Sequence, residues 1–341
     1  MKIKIGINGF GRIGRLIMRA SVCRPDIEIV AVNDPFITPD YACYMYKYDT
    51  VHGIANSELK LTPNGLKLNR KPVAFFTEYE PENIDWASVG AEYIIDCSGK
   101  FTKAEDAAKH LQGGAKKVII SAPGKNCPTF VMGVNEQNYT SDMNVVSNGS
   151  CTTNCLGPLV RVLDDVYGIE EGLMSTIHST TASQMTVDGV SKKDWRGGRA
   201  ASVNIIPSST GAAKAVGALL PHLKGKITGM SFRVPTVNIS CVDFTVKLKK
   251  PTTYEHICKT FKKYSKDIIP NVLEYTDEPL VSSDFIGNPH TCVFDANAGI
   301  MLSPTFVKVV AWYDNEWAYS CKCLDLAKEM FKKDNAKANS K

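Results

Sequence analysis

Three glycines, Gly9, Gly11 and Gly14, sit where an apolar run gives way to a helical pattern, and they restrict the N-terminal half to few folds. The run KIKIGIN (2–8) reads as a buried strand, and residues 10–23 read as a helix opening at Gly11–Arg12. Glycine at the first position permits a tight turn, at the second it lets a ligand approach the backbone, and at the third it lets helix and strand pack closely. The next strand, IEIVAVND (27–34), ends in Asp34, twenty residues after Gly14. That spacing sets a carboxylate to accept from a ribose diol, while the helix N-terminus offers amides to a pyrophosphate. A glycine-rich turn with a capping aspartate is the bland alternative, and the strand–helix context argues against it. The negative charge of Asp34 would repel a 2′-phosphate, which favours NAD over NADP.

Further strands are expected at KPVAFF (71–76), AEYIID (91–96), KKVIIS (116–121) and MNVVSN (143–148), with a helical pattern around 103–111. Near-continuous apolar strands alternating with helices indicate a mainly parallel sheet covered on both faces. Ser121 ends one of these strands at the edge where such sheets bind ligands, although an ordinary turn serine reads the same way. After about residue 150 the texture changes. A helix is expected from Cys151 through NCLGPLVRVLDDVYG, followed by the long β-type runs GLMSTIHST, TGMSFRVPT, ISCVDFTVKLKK and FVKVVAWYD. These imply a mixed or antiparallel sheet and a second domain. Between them, 181–209 is rich in Ser, Gly, Lys and Arg, and loops of that length are usually functional. Residues 315–333 have helical spacing, with a frayed tail expected after them.

A chain of 341 residues accommodates two such domains. The net charge of +5 is spread over scattered lysines, so a solvated surface is expected and a nucleic-acid partner is not supported. No run approaches the roughly 18 apolar residues of a membrane helix, and MKIKIGINGF carries no signal-peptide core. Eleven cysteines without a regular framework suggest reduced thiols and a cytoplasmic protein. Cys151 and Cys155 are four apart, and Cys321 and Cys323 lack a second pair, so no metal site is expected.

Cys151 opens its helix in SNGSCTTNC (147–155), and His178 lies in LMSTIHSTT (173–181). A helix N-terminus is expected to lower the thiol's pKa from its usual ~8.5. His178 is the candidate ion-pair partner and base. A thiol that adds to an aldehyde forms a hemithioacetal whose C–H can leave as hydride, so the pair suggests aldehyde oxidation through a thioester. Most cysteines are small buried hydrophobes, and Cys155, one helical turn deeper, is read as one.

INGFGRIGR, NDP, ISAP, SCTTNC, NIIPSSTGAAKAVG, RVPT and WYDNEW occur in an order that resembles the phosphorylating glyceraldehyde-3-phosphate dehydrogenases across essentially the whole chain. The resemblance implies a Rossmann-like NAD-binding domain, 1–150 with 316–341. It also implies an α+β catalytic domain, 151–315, with a mixed or antiparallel sheet and an S-loop at about 181–209. It further implies oxidation of D-glyceraldehyde 3-phosphate with NAD and inorganic phosphate, in a homotetramer. Cys151 would be the nucleophile and His178 its base. Gly11, Arg12, Ile13, Asp34, Ser121 and Asn315 would serve the cofactor, Asn315 by orienting the nicotinamide carboxamide. Ser150, Thr152, Thr181, Thr210, Gly211 and Arg233 would bind phosphate or the reacting group. The chain departs from the usual pattern at Tyr79, where many relatives carry a basic residue near the adenine, and at Val190, where a proline associated with NAD preference is customary. Gly149, Gly157, Ala318, Ser98 and Gly197 are further departures, and none removes a catalytic group. A hydrolytic enzyme of the same fold, such as an erythrose-4-phosphate dehydrogenase, and an RNA-binding use of the dinucleotide fold are the rival readings.

Overall fold

The computed structural model describes residues 2–63, 65–192 and 194–338. The chain divides into two compact units, 1–150 with 320–341, and 151–319. The division falls inside the C-terminal helix.

In the first unit the strands are β1 (Ile3–Asn8), β2 (Ile27–Asn33), β3 (Leu59–Thr62), β4 (Gly65–Leu68), β5 (Lys71–Phe76), β6 (Tyr93–Asp96), β7 (Lys117–Ile120) and β8 (Val145–Ser147). Helices α1 (Arg12–Ser21), α2 (Pro39–Lys47) and the short α3 (Ala104–Ala107) connect them. The sheet order is β3-β4-β5-β2-β1-β6-β7-β8. It is parallel from β5 to β8, with an antiparallel hairpin, β3–β4, on one edge. Ile5, Ile7, Val32, Ile94, Ile95 and Ile119 are fully buried, as a sheet covered on both faces requires. Successive strands run outward in one direction from β1 to β5 and in the other from β6 to β8. The carboxyl ends of β1 and β6 therefore flank the switch point where such sheets bind ligands. The helical pattern around 103–111 resolves into α3 and a 3₁₀ turn, Ala108–Leu111.

The second unit opens with α4 (Cys151–Tyr167) and continues through β9 (Ile169–His178), β10 (Ile206–Ser209), α5 (Ala212–Leu219), β11 (Ile227–Arg233), β12 (Ser240–Leu248), α6 (Tyr254–Asp267), β13 (Leu273–Thr276), β14 (Cys292–Ser303) and β15 (Phe306–Tyr313). Its sheet order is β10-β11-β9-β12-β15-β14-β13, antiparallel except for the β11–β9 and β13–β14 pairs. Helices α4, α5 and α6 pack on the sheet. β9 alternates accordingly, with Met174, Thr176 and His178 buried and Leu173 exposed. The last four residues of the 181–209 segment are strand β10 rather than loop. Helix α7 (Trp317–Ala338) begins in this unit and continues from Ser320 in the first. It extends past the expected 333, and the last three residues of the tail lie outside the described residues.

Candidate active site

In the first unit the three glycines divide their work as the spacing requires. Gly9 has φ +89°, and a Cβ there would meet the Ser98 amide nitrogen at 2.7 Å. A Cβ on Gly14 would fall 2.1 Å from the Gly9 carbonyl oxygen. A Cβ on Gly11, the N-cap of α1, would meet nothing within 4 Å. The first and third glycines are thus needed by the fold, whereas the space above the second is open. Gly14→Ala should therefore destabilise the protein, by about 2 kcal/mol or more, since backbone must shift. Gly11→Ala should melt near the wild-type temperature and bind NAD weakly; thermal unfolding and cofactor titration separate the two.

A cavity of about 220 Å³ opens beside them, lined by Gly9, Gly11, Asp34, Phe36, Tyr79 and Ser98 among others. Asp34 Oδ2 accepts from the Phe10 amide (2.8 Å) and Oδ1 from the Phe36 amide (2.9 Å). These bonds fix the carboxylate and leave lone pairs for a ribose diol. The open space over Gly11, the amides of α1 and the anchored carboxylate fit a dinucleotide. Tyr79 stands edge-on to Phe36, ring centroids 5.6 Å apart, so the rim carries two aromatic rings.

Arg12, Ile13 and Ser121 do not line this cavity. The Arg12 guanidinium is bonded to the Asp49 carboxylate. Burial works against ionising Asp49, yet Arg12 and the amides of His52 and Val51 hold it down at about 2. The Ser121 amide donates to the Asp96 carbonyl at 2.9 Å, which ties it to the end of β6. Gly149, in the turn that leads to Cys151, has φ +66°, a conformation that favours glycine.

In the second unit Cys151 is the first residue of α4, and β9 ends at His178, whose Nε2 lies 3.4 Å from the sulfur. Tyr313 on β15 packs edge-on to the His178 ring, centroids 6.0 Å apart. Its hydroxyl bonds both Thr152 Oγ1 and Thr176 Oγ1 at 2.9 Å. The Thr152 hydroxyl thus faces inward, and its amide and hydroxyl favour the Cys151 thiolate.

His178 Nδ1 lies 2.8 Å from the Ser179 carbonyl, to which it can donate, leaving Nε2 to take the thiol proton. Arg233, paired with His178 in the β11–β9 register, brings Nη1 to 2.6 Å from the same Nδ1; a guanidinium only donates, so this contact belongs to the tautomer with Nδ1 as acceptor and is given up in the one that frees Nε2 as base. Burial, and then Arg233, push His178 down to about 4. Burial likewise pushes the Cys151 thiol up, and the opposing effects of Arg233 and Thr152 do not overcome it. The helix-terminus argument for a lowered thiol pKa is thus outweighed for the group taken singly. Moving the proton from Sγ to Nε2 makes both charges at once, 3.4 Å apart, so each partly replaces the solvation the other has lost. Cys155 is fully buried, with its pKa raised far above the ordinary range, as a structural thiol.

Asn315 sits in the turn where Asp314 Oδ1 caps α7, accepting from the Glu316 and Trp317 amides (3.0 and 2.8 Å). Its Oδ1 accepts from Ser179 Oγ and Ser240 Oγ, both at 2.9 Å, which fixes the amide's orientation. Thr181 precedes the turn closed by Gln184, and its hydroxyl lies 3.2 Å from Ser183 Oγ. Thr210 Oγ1 accepts from the Ala212 amide at 3.2 Å, and a Cβ on Gly211 would meet nothing within 4 Å. Ser209 pairs with Met230, three residues from Arg233 and so roughly 10 Å away along β11. Arg233 and the Thr210–Gly211 turn are therefore apart along the β10–β11 pair. Ser150 directly precedes Cys151 and is half-buried.

Sequence reasoning missed Tyr313, Thr176, Ser179 and Ser240, for which runs of β-type residues carry no signal. Among the described residues no cluster could hold a metal ion, and no helix is long and apolar enough to cross a membrane.

Comparison with known proteins agrees with both units. The family described as glyceraldehyde 3-phosphate dehydrogenase, NAD binding domain, matches residues 3–104, and its C-terminal domain counterpart matches 150–315. A cytosolic glyceraldehyde-3-phosphate dehydrogenase of Craterostigma plantagineum is 61% identical over 331 residues, covering 96% of this chain and 98% of its own. The Ogataea parapolymorpha enzyme is 58% identical (97% and 99% covered), and glyceraldehyde-3-phosphate dehydrogenase 3 of Saccharomyces cerevisiae is 56% identical (97% and 99%).

Proposed function

This chain belongs to the glyceraldehyde-3-phosphate dehydrogenase family, and from that premise we propose that Cys151 and His178 carry its chemistry. The activity is the NAD-dependent oxidation of D-glyceraldehyde 3-phosphate, with phosphate, to 1,3-bisphosphoglycerate. The observation that carries the assignment of residues is the 3.4 Å contact between Cys151 Sγ and His178 Nε2.

Cys151 Sγ attacks the aldehyde carbon while His178 Nε2 takes the thiol proton and returns it to the carbonyl oxygen. His178 takes that hydroxyl proton again as the hemithioacetal carbon loses hydride and becomes a thioester. NAD, when bound, supplies the hydride acceptor. Gly11 and the opening of α1, including Arg12 and Ile13, would hold its pyrophosphate, Asp34 its ribose, and Asn315 its carboxamide, with Ser121 supporting the β6 turn. Phosphate oxygen then attacks the thioester and expels the Cys151 thiolate. Arg233 and Thr181 would bind the substrate's phosphate, and Ser150, Thr210 and Gly211 the attacking one. The separation of Arg233 from the Thr210–Gly211 turn supports two anion positions. On this reading 1–150 with 316–341 is the NAD-binding domain and 151–315 the catalytic domain, with the S-loop at 181–209.

We also propose a homotetramer, as the family resemblance implies, and exposed apolar side chains support association between copies. Leu173, Ile300 and Leu302 of the second unit's sheet lie open, as do Val187, Val190, Trp195 and Val203 of the S-loop. The compartment is the cytoplasm, as in the relatives named cytosolic. Initial rates of NADH formation, crossing NAD against NADP and phosphate against none, test the reading. Turnover should require phosphate and prefer NAD, whereas phosphate-independent turnover would mark a hydrolytic enzyme.

A further inference from the structure

Asp96, at the carboxyl end of β6, is a buried carboxylate, and among the described residues no lysine or arginine pairs with it. Four donors hold it instead. Oδ2 accepts from Asn8 Nδ2 (2.7 Å) and His110 Nε2 (3.0 Å), while Oδ1 accepts from the Ser98 amide (3.0 Å) and hydroxyl (2.7 Å). His110, fully buried, lies between Asp96 and Trp86, whose Nε1 is 3.1 Å from His110 Nδ1. An indole nitrogen only donates, so Nδ1 must be the acceptor and the ring's single proton must sit on Nε2, facing Asp96. Trp86 thereby fixes the tautomer.

The order propagates. With Asn8 Nδ2 committed to Asp96, Asn8 Oδ1 faces Asn33 Nδ2 at 2.8 Å. Asn33 Nδ2 also donates to the Glu78 carbonyl (3.0 Å), and Asn33 Oδ1 accepts from the Glu78 amide (2.8 Å). Reversing any one amide would set donor against donor along the row. Asn8, Asn33, Glu78 and Ser98 all line the cavity beside the fingerprint glycines, whereas Trp86 and His110 do not. Asn8 immediately precedes Gly9, and Asn33 immediately precedes Asp34.

We infer that His110, held in one tautomer by Trp86 and acting through Asp96, is a positioning residue for the dinucleotide pocket. It sets the Ser98 turn on one side and the Asn8–Asn33–Glu78 row on the other. Buried polar rows of this kind specify a single arrangement only while every member is satisfied. The inference rests on the reading that this cavity receives NAD.

Calorimetric titration of the intact protein with NAD, alongside KM values for each substrate, tests it. His110→Phe removes the donor to Asp96 and should raise the Kd for NAD about tenfold or more, since a bond to a buried charge is lost. KM for glyceraldehyde 3-phosphate and phosphate should stay near wild type. His110→Gln, which keeps a donor toward Asp96, should recover most of the affinity. If the phenylalanine variant does not fold, Asp96→Asn substitutes for it: its NH2 would confront a donor on one side or the other, Asn8 and His110 or the Ser98 amide, and NAD affinity should fall similarly. Unchanged NAD affinity in a folded His110→Phe or Asp96→Asn protein would overturn the inference, as would equal losses for all three substrates. Asp34→Ala is the control for the underlying reading. If it too leaves NAD binding unchanged, the cavity is not the cofactor site; if it weakens binding while the His110 variants do not, only the inference fails.

Discussion

Replacing Cys151 with serine should remove dehydrogenase activity almost completely, by on the order of 10⁴-fold or more in kcat. A serine hydroxyl is a far weaker nucleophile, and His178, held down at about 4 by burial and Arg233, is too weak a base to generate an alkoxide. The oxygen ester that would result is also a poorer acyl donor to phosphate than a thioester. The fold should survive, because the change is nearly isosteric at the first residue of α4. Steady-state rates with matched melting curves check this, and near-normal turnover in a folded variant would remove Cys151 from the mechanism. Cys155→Ser serves as the comparison. Its sulfur is fully buried, 3.9 Å from the Ala311 carbonyl and beside Cys292, so the change should cost stability and leave the covalent chemistry in place.

His178→Asn should lower kcat by about 10²- to 10⁴-fold, the range for loss of a general base. It should also slow alkylation of Cys151 by iodoacetamide near neutral pH. The thiol would then keep the burial that pushes its pKa up while losing the acceptor 3.4 Å away. Alkylation should therefore become appreciable only at more alkaline pH than in the wild type. A second readout follows from linkage. The imidazole's pKa falls from its ordinary 6.5 in the unfolded chain to about 4 in the fold, so the unfolded state binds the proton first as pH drops. The neutral ring's contribution to stability is complete above about 6.5 and is lost as the pH falls toward 4. Melting temperature should consequently fall less over that interval in His178→Asn than in the wild type. An unchanged alkylation profile would contradict the coupling of the two groups.

What the sequence made legible was whatever is carried by local spacing. Gly9, Gly11, Gly14 and Asp34 lie within one strand–helix–strand stretch, and the three glycines have distinct steric surroundings in the structure. Cys151 at a helix start was equally local. Its meeting with His178 depends on β9 ending beside the start of α4, which chemistry suggested and the motif order of a known family reinforced, but which no local spacing could fix. The β3–β4 hairpin and α2 were not read, because their short runs mix lysines and polar residues with few buried positions. The direction of the thiol shift was misjudged for a related reason: the helix terminus is visible in sequence, whereas burial is not. The row from Trp86 to Glu78 joins partners 14 to 88 residues apart. Asparagines closing otherwise apolar strands, at 8 and 33, were the one sign of it.

The central claim is a covalent acyl group on Cys151 that phosphate removes. Enzyme mixed with NAD and glyceraldehyde 3-phosphate in phosphate-free buffer, quenched in acid and digested, should yield a 147–155-containing peptide carrying one 3-phosphoglyceroyl group on Cys151. Adding phosphate before the quench should discharge it as 1,3-bisphosphoglycerate. No adduct, an adduct on another cysteine, or an adduct indifferent to phosphate would contradict the account.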